Sequence, residues 1–185
     1  MKNIRMIFCL FVVIVVVSSS AHSDQNDPRL NLLFEKLKLS GSESSAQRIE
    51  QEIWSVWLEH PDENVRSSMN QGISAMQSGH LEIAESIFSS IILTHPNFSE
   101  VWNKRATVRF VQGNYRGSTA DIMRVINLEP RHFGALSGLG MIFIKRGDLI
   151  KALKVYEVVF KLYPNMPNLA DNIAVLRRRL SGYAL

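Results

Sequence analysis

The sequence predicts an all-α chain of stacked helix pairs, and three observations carry that prediction. Pro96, Pro130 and Pro164 are each 34 residues apart. Gly79, Gly113 and Gly147 keep the same step. Between these markers, small and large apolar residues recur at matching places. A fixed period between about 20 and 50 residues marks one supersecondary unit, repeated and stacked side by side.

The first 23 residues read as a targeting segment. Lys2 and Arg5 form a basic start, Met6 to Val17 is an unbroken apolar run, and residues 18–23 are small and mostly polar. That order is the secretory signal-peptide pattern, with cleavage expected after Ala21 or Ser23. The apolar run is shorter than the roughly 20 residues a spanning helix needs; the rival reading is an uncleaved anchor stretched through the serines. Cys9 lies inside the run and does not end it, which argues against lipid modification. The segment takes two positive charges with it, leaving 19 Lys and Arg against 17 Asp and Glu. The pI of 9.4 is therefore a small surplus and makes no case for nucleic acid. Residues 24–185 contain no cysteine, so an exported chain of this kind depends on packing and not on disulfides.

Asp24 to Asp27 reads as a disordered tail. Within residues 24–61, Leu30, Leu33, Phe34 and Leu37 form one helical stripe and Ile49, Ile53, Val56 and Trp57 another, with the serine-rich turn Ser40 to Ser45 between them. His60-Pro61 comes 35 residues before His95-Pro96, so this pair is expected to be a degenerate repeat stacked ahead of the others. Trp54 and Trp57 are neighbours on the second helix, and at least one is expected in the core.

Three units follow, at 65–98, 99–132 and 133–166, numbered so that each proline is the 32nd residue. Position 8 is Gly72, Ala106, Gly140; position 20 is Ala84, Ser118, Ala152; position 24 is Phe88, Ile122, Tyr156; position 27 is Ile91, Val125, Val159. Small residues at 8 and 20 let two helices cross closely while larger ones fill the space beside them. The glycine at position 15 ends the first helix in a backbone conformation that it alone adopts freely. The proline stops the second. Arg105 and Arg109 would be partly enclosed, and Asp121 is their expected counter-charge. Residues 167–185 are expected to cap the array, with Leu169, Ile173, Leu176 and Leu180 as one apolar stripe and Arg177-Arg178-Arg179 around the rest. The triple arginine either solvates the outer face or touches an anionic surface.

Spacing and residue type in these units resemble the tetratricopeptide repeat, a 34-residue helix–turn–helix. Trp102 stands at the family's position 4, Leu139-Gly140 at 7 and 8, Ala84 and Ala152 at 20, Phe88 at 24. The chain departs from the pattern at position 11, often tyrosine, with Ala75, Arg109 and Phe143, and at position 7 with Gln71 and Arg105. The resemblance implies a right-handed superhelix of helix pairs whose stability falls unit by unit as ends are trimmed. Asn103 to Thr107 and Arg131 to Leu136 resemble exported alphaproteobacterial members, which implies a periplasmic or secreted location.

No catalytic constellation is visible: there is no Gly-x-Ser-x-Gly, no phosphate-binding glycine loop and no His-Glu-x-x-His. The scattered histidines His60, His95 and His132 read as turn residues, so no enzyme activity, metal or cofactor is expected. In peptide-binding members of the family the ligand lies along the first helix of each unit. Carried over, the groove residues are Met69, Ile73 and Met76, then Asn103, Thr107 and Phe110, then Ser137, Met141 and Ile144. This lining is apolar and rich in adaptable methionine. Asn103 is expected to hold a peptide backbone, and Lys104 and Arg131 to anchor an acid at the rim. Met69 and Ile73 stand where the family's carboxylate clamp has Lys and Asn, which excludes that mode. The expected function is a scaffold in the cell envelope that binds a protein segment, with self-association through the same face as the alternative. The N-terminal segment, the C-terminal helix or a second copy compete as occupants of the groove.

Overall fold

The computed structural model describes residues 25–182, which form nine α-helices and no strand. They are α1 (Arg29–Lys38), α2 (Glu43–Leu58), α3 (Glu63–Gln77), α4 (Leu81–Thr94), α5 (Ser99–Val111), α6 (Tyr115–Leu128), α7 (Phe133–Lys145), α8 (Leu149–Leu162) and α9 (Leu169–Gly182). The expected leader, residues 1–23, lies outside the described residues.

Helices α3–α4, α5–α6 and α7–α8 are three antiparallel hairpins built the same way. At each turn a glycine takes a positive φ, +78° at Gly79 and Gly113 and +76° at Gly147. Its N–H and that of the next residue fold back onto the ending helix, as in Gly113 to Phe110 O (3.0 Å) and Asn114 to Arg109 O (2.8 Å). That double return satisfies carbonyls the helix end would otherwise leave bare. The residue after the glycine then starts the next helix, and Asn114 and Asp148 accept from Gly117 N and Lys151 N as N-caps. A Cβ on Gly72 or Gly140 would overlap the ring of Phe88 or Tyr156, so positions 8 and 24 meet face to face in both units. In the middle unit Ser118 Oγ donates to Ala106 O at 2.8 Å.

The expected counter-charge is in place. Asp121, buried, accepts from Arg105 Nε (2.9 Å) and Nη2 (2.8 Å) and from Arg109 Nη1 (2.9 Å). Arg109 continues to Glu85 (2.7 Å) and Arg105 to Ser89 (3.0 Å), so one carboxylate ties α4, α5 and α6 together. Consecutive hairpins pack through α4 on α5 and α6 on α7, and α9 covers α8. The first helices α3, α5 and α7 also touch one another, so they line the inner wall of the array.

The N-terminal pair departs from the stacked arrangement expected of it. Helix α2 packs on α5 and α1 on α8, and α2 does not lie along α3 as α4 lies along α5. Leu30, Leu33, Phe34 and Leu37 of α1 and Ile53, Val56 and Trp57 of α2 share one core with Phe133, Leu136, Tyr156 and Tyr163. The reason is chemical. The outer face of α3 presents Ser67, Asn70, Gln71 and Ser74, all exposed, and offers an apolar stripe nothing to bury against. The far end of the inner wall offers aromatic rings. Polar ties fix the position: Tyr163 Oη donates to Glu50 (2.9 Å), Asn165 Nδ2 to Ser40 O (2.5 Å) and Arg131 Nη1 to Asn31 (2.9 Å).

Residues 25–27 are not a loose tail. The buried Gln25 side chain donates to Asn97 O (2.7 Å) and accepts from Ser99 N (3.2 Å). Phe98, at the N-cap of α5, has no capping side chain of its own. Gln25 therefore caps α5 from 74 residues away. Asp27 holds Arg29 through both carboxylate oxygens, and Arg29 reaches on to Glu59. The hydrogen bond from Arg29 keeps the Asp27 carboxyl below its ordinary value against the opposing effect of burial.

Candidate functional site

The inner wall divides into a filled end and an open end. At the filled end the indole of Trp57 lies flat on the imidazole of His132, with centroids 4.1 Å apart and planes at 9°. Trp54 stands edge-on to His132 (5.4 Å) and Phe133 (5.5 Å). Gly134 makes this possible, because a Cβ there would come within 2.7 Å of the Trp54 ring.

Below the tryptophans lies a buried polar cluster. His132 Nδ1 accepts from Ala135 N, capping α7, so Nε2 carries the ring proton and donates to Glu100 at 2.9 Å. The same Glu100 oxygen accepts from Asn103 Nδ2 (3.1 Å), and Lys104 Nζ stands 2.8 Å from the other. Glu100 and His132 are both 0% exposed. Burial alone would raise the Glu100 carboxyl. The Lys104 ammonium and then the His132 hydrogen bond outweigh it and hold the group below the ordinary carboxylate value. Lys104 also lies 5.2 Å over the Trp54 ring.

The open end is a cleft between α5 and α7. Asn103, Thr107 and Phe110 form one side, Gly134, Gly138 and Met141 the other, with Ala106, Ser118 and Ile122 at the floor. Its volume is about 80 Å3. That is about half of the roughly 150 Å3 that admits a benzene ring, so it suits one aliphatic side chain. Thr107 spends its hydroxyl on Asn103 O (3.0 Å), and Met141 is 44% exposed at the mouth.

Of the nine expected groove residues, the structure brings Asn103, Thr107, Phe110 and Met141 together and separates the rest. Met69 is buried in the first hairpin's core, where Ile73 and Met76 pack beside it and Leu58 from the end of α2 closes over. Ser137 Oγ meets Met166 Sδ at 3.8 Å. Ile144 lines a different hollow, with Leu149, Ile150 and Leu180. Three expected roles change. The Asn103 amide donates to Glu100 and is not held ready for a peptide backbone. Lys104 is engaged by Glu100 and Trp54. Arg131 is engaged by Glu129 (2.8 Å) and Asn31, and covers the Phe34 ring at 4.5 Å. Gly134 and Gly138, four apart on α7, shape the cleft; their spacing was readable, but glycine pairs on a helix seldom announce a ligand. Among the described residues no three His, Cys, Asp or Glu gather as a metal site, and no helix is long and apolar enough to cross a membrane.

No family model matches the chain. A TPR repeat-containing protein of Rhizobium etli is 33% identical over 168 residues, 91% of this chain and 82% of that one. The chain belongs to the tetratricopeptide repeat-containing proteins. Solved tetratricopeptide structures share its fold at low identity. The first such domain of Spaghetti, bound to an HSP90 peptide, superposes with a TM-score of 0.60 at 19% identity, covering 63% of this chain and 93% of that one. The Yersinia enterocolitica type III secretion chaperone SycD, in complex with a peptide of the translocator YopD, gives 0.61 at 13%, covering 64% and 95%. The crystal structure of MamA gives 0.60 at 17% and covers 80% of this chain and 84% of that one. The fold is thus that of the tetratricopeptide superhelices.

Proposed function

We propose that this protein is a non-catalytic scaffold that holds a short segment of a partner protein in the cleft between α5 and α7. One observation carries the reading: the inner wall is closed by the chain's own Trp54 and Trp57 at one end, yet an apolar cleft flanked by Thr107, Phe110 and Met141 stays open beside it. Two of the fold relatives are solved with peptides bound, which supports a peptide as the class of ligand. The cleft takes one aliphatic side chain, and the flanking exposed surface takes the backbone around it. Export to the cell envelope is part of the proposal. It rests on the basic, apolar and small-residue order of residues 1–23.

The test is a photo-reactive phenylalanine analogue at Thr107, read by mass spectrometry in the native host, with and without Gly138→Leu. A Cβ at Gly138 would sit 3.5 Å from Ile122 Cδ1, an ordinary contact, so a leucine fills the cleft without breaking the helix crossing. The expected result is a crosslink to one distinct envelope protein that disappears in Gly138→Leu. A crosslink to a second copy of this chain would favour self-association through the same face. Crosslinks indifferent to Gly138→Leu would remove the cleft from consideration.

A further inference from the structure

Charge is distributed unevenly along the array. Residues 24–144 carry eleven Lys and Arg against fourteen Asp and Glu, while residues 145–182 carry eight against three. The cationic part is α8 and α9, the last two helices among the described residues. Among the described residues Lys154 and Lys161 on α8 and Arg178 and Arg179 on α9 form no ion pair; Arg177 forms one, with Glu157 at 2.7 Å. Between the two helices runs a cleft of about 440 Å3 with Phe160, Ala170 and Ile173 as its apolar floor, and with Lys161 and the Arg177–Glu157 pair on its rims. Phe160 is 41% exposed there.

We infer that this end of the array is a second docking surface, distinct from the α5–α7 cleft, and that its partner is an acidic amphipathic helix. In a stacked array each seam between neighbouring helices is covered by the helix that follows. The α8–α9 seam is the one with no following helix among the described residues, so its apolar floor stays uncovered. Its chemistry selects the sign of the occupant: an apolar stripe for Phe160 and Ile173, carboxylates for Lys161 on the rim and for Lys154 two turns before it on α8. A second copy meeting the same face by two-fold symmetry would set these cations against themselves. A flat anionic membrane is a poor match, because Arg177, Arg178 and Arg179 are successive residues pointing about 100° apart around α9, and Phe160 lies in the cleft floor.

The probes are two designed peptides of about four helical turns with the same leucine stripe, one with glutamates on its polar face and the other with lysines. Binding is measured to the intact protein by fluorescence anisotropy. The glutamate peptide is expected to bind and to weaken with salt, the lysine peptide not to bind. Phe160→Asp, and separately Lys154→Glu with Lys161→Glu, should each reduce glutamate-peptide affinity at least about tenfold, while Gly138→Leu leaves it unchanged. These positions are exposed, and circular dichroism confirms that the variants remain folded. Equal binding of both peptides, or affinity undiminished in the folded variants, would overturn the inference. So would sedimentation with phosphatidylglycerol vesicles that depends on Arg178 while the glutamate peptide fails to bind. A concentration-dependent mass abolished by Phe160→Asp would assign the face to a second copy and overturn it equally.

Discussion

Replacing Asp121 by Asn is the sharpest test of how the repeats are held together. The substitution keeps size and shape and removes one negative charge from beneath two arginines. Asp121 is 2% exposed; the Arg105 and Arg109 side chains are 12% and 20% exposed. Removing one partner of a fully buried ion pair costs about 3–5 kcal/mol, chiefly because the opposite charge is left uncompensated. Here Arg109 keeps Glu85, Arg105 keeps Ser89, and both guanidiniums reach some solvent. The asparagine also retains one acceptor oxygen. The expected loss is therefore about 2–3 kcal/mol, below the range for a sealed pair. At about 2–4 °C per kcal/mol for a chain of this size, the Tm should fall by about 5–10 °C. Thermal unfolding followed by far-ultraviolet circular dichroism measures it. A companion variant, Asp121→Leu with Arg105→Met and Arg109→Leu, replaces the whole network by apolar groups and should recover most of the loss. An Asp121→Asn protein that melts with the parent would refute the reasoning, because the triad would then contribute nothing to cohesion between α4, α5 and α6.

Other outcomes are expected from single contacts. Gln25→Ala should lower stability by about 1 kcal/mol in urea denaturation, since it strips the remote cap from α5. Gly140→Ala should cost about 1–3 kcal/mol, because its methyl group meets the Tyr156 ring, whereas alanine at the exposed Gly41, where a Cβ meets nothing, should be nearly silent. The pH dependence follows from Glu100. Its carboxyl titrates lower in the folded chain than in the unfolded one, so its contribution is complete above the unfolded value near 4.3 and declines as pH falls through the lower folded value. Tryptophan fluorescence, which reports the nearby Trp54 and Trp57, should change as pH falls below about 4. Glu100→Gln should flatten that change, and an identical acid transition in the variant would separate the tryptophans from Glu100.

The three hairpins were legible because their determinants are local. A glycine at φ near +78° and a proline 17 residues later punctuate each unit wherever it sits, and small residues at positions 8 and 20 permit only one kind of crossing. The pairing of Asp121 with Arg105 and Arg109 was legible for a related reason, since a charge inside an apolar pattern demands a partner. The placement of α1 and α2 was not. Their stripes state that two faces are buried without stating against what, and the choice turned on the polarity of α3 and the aromatic character of Phe133 and Tyr163. The cleft was legible in part. Repeat positions placed Thr107, Phe110 and Met141 along one wall, but periodicity could not foresee that Glu100, bonded to His132 from the other end of the same unit, would consume the Asn103 amide and the Lys104 charge. Nor does any local pattern mark Gln25, which acts on a helix 74 residues downstream.

The return of α1 and α2 across the array changes how the chain as a whole comes apart. A simple solenoid frays from either end, because each unit leans only on its neighbours. Here the first helix leans on the eighth, and residues 25 and 40 are bonded to residues 97–99 and 165. The ends are stitched to the middle and to each other, so loosening α8 also unseats α1. Melting should therefore be a single concerted event in place of progressive unravelling. Folding should be slower than that of a plain array of the same length, because contacts more than 100 residues apart must close before the last core is complete.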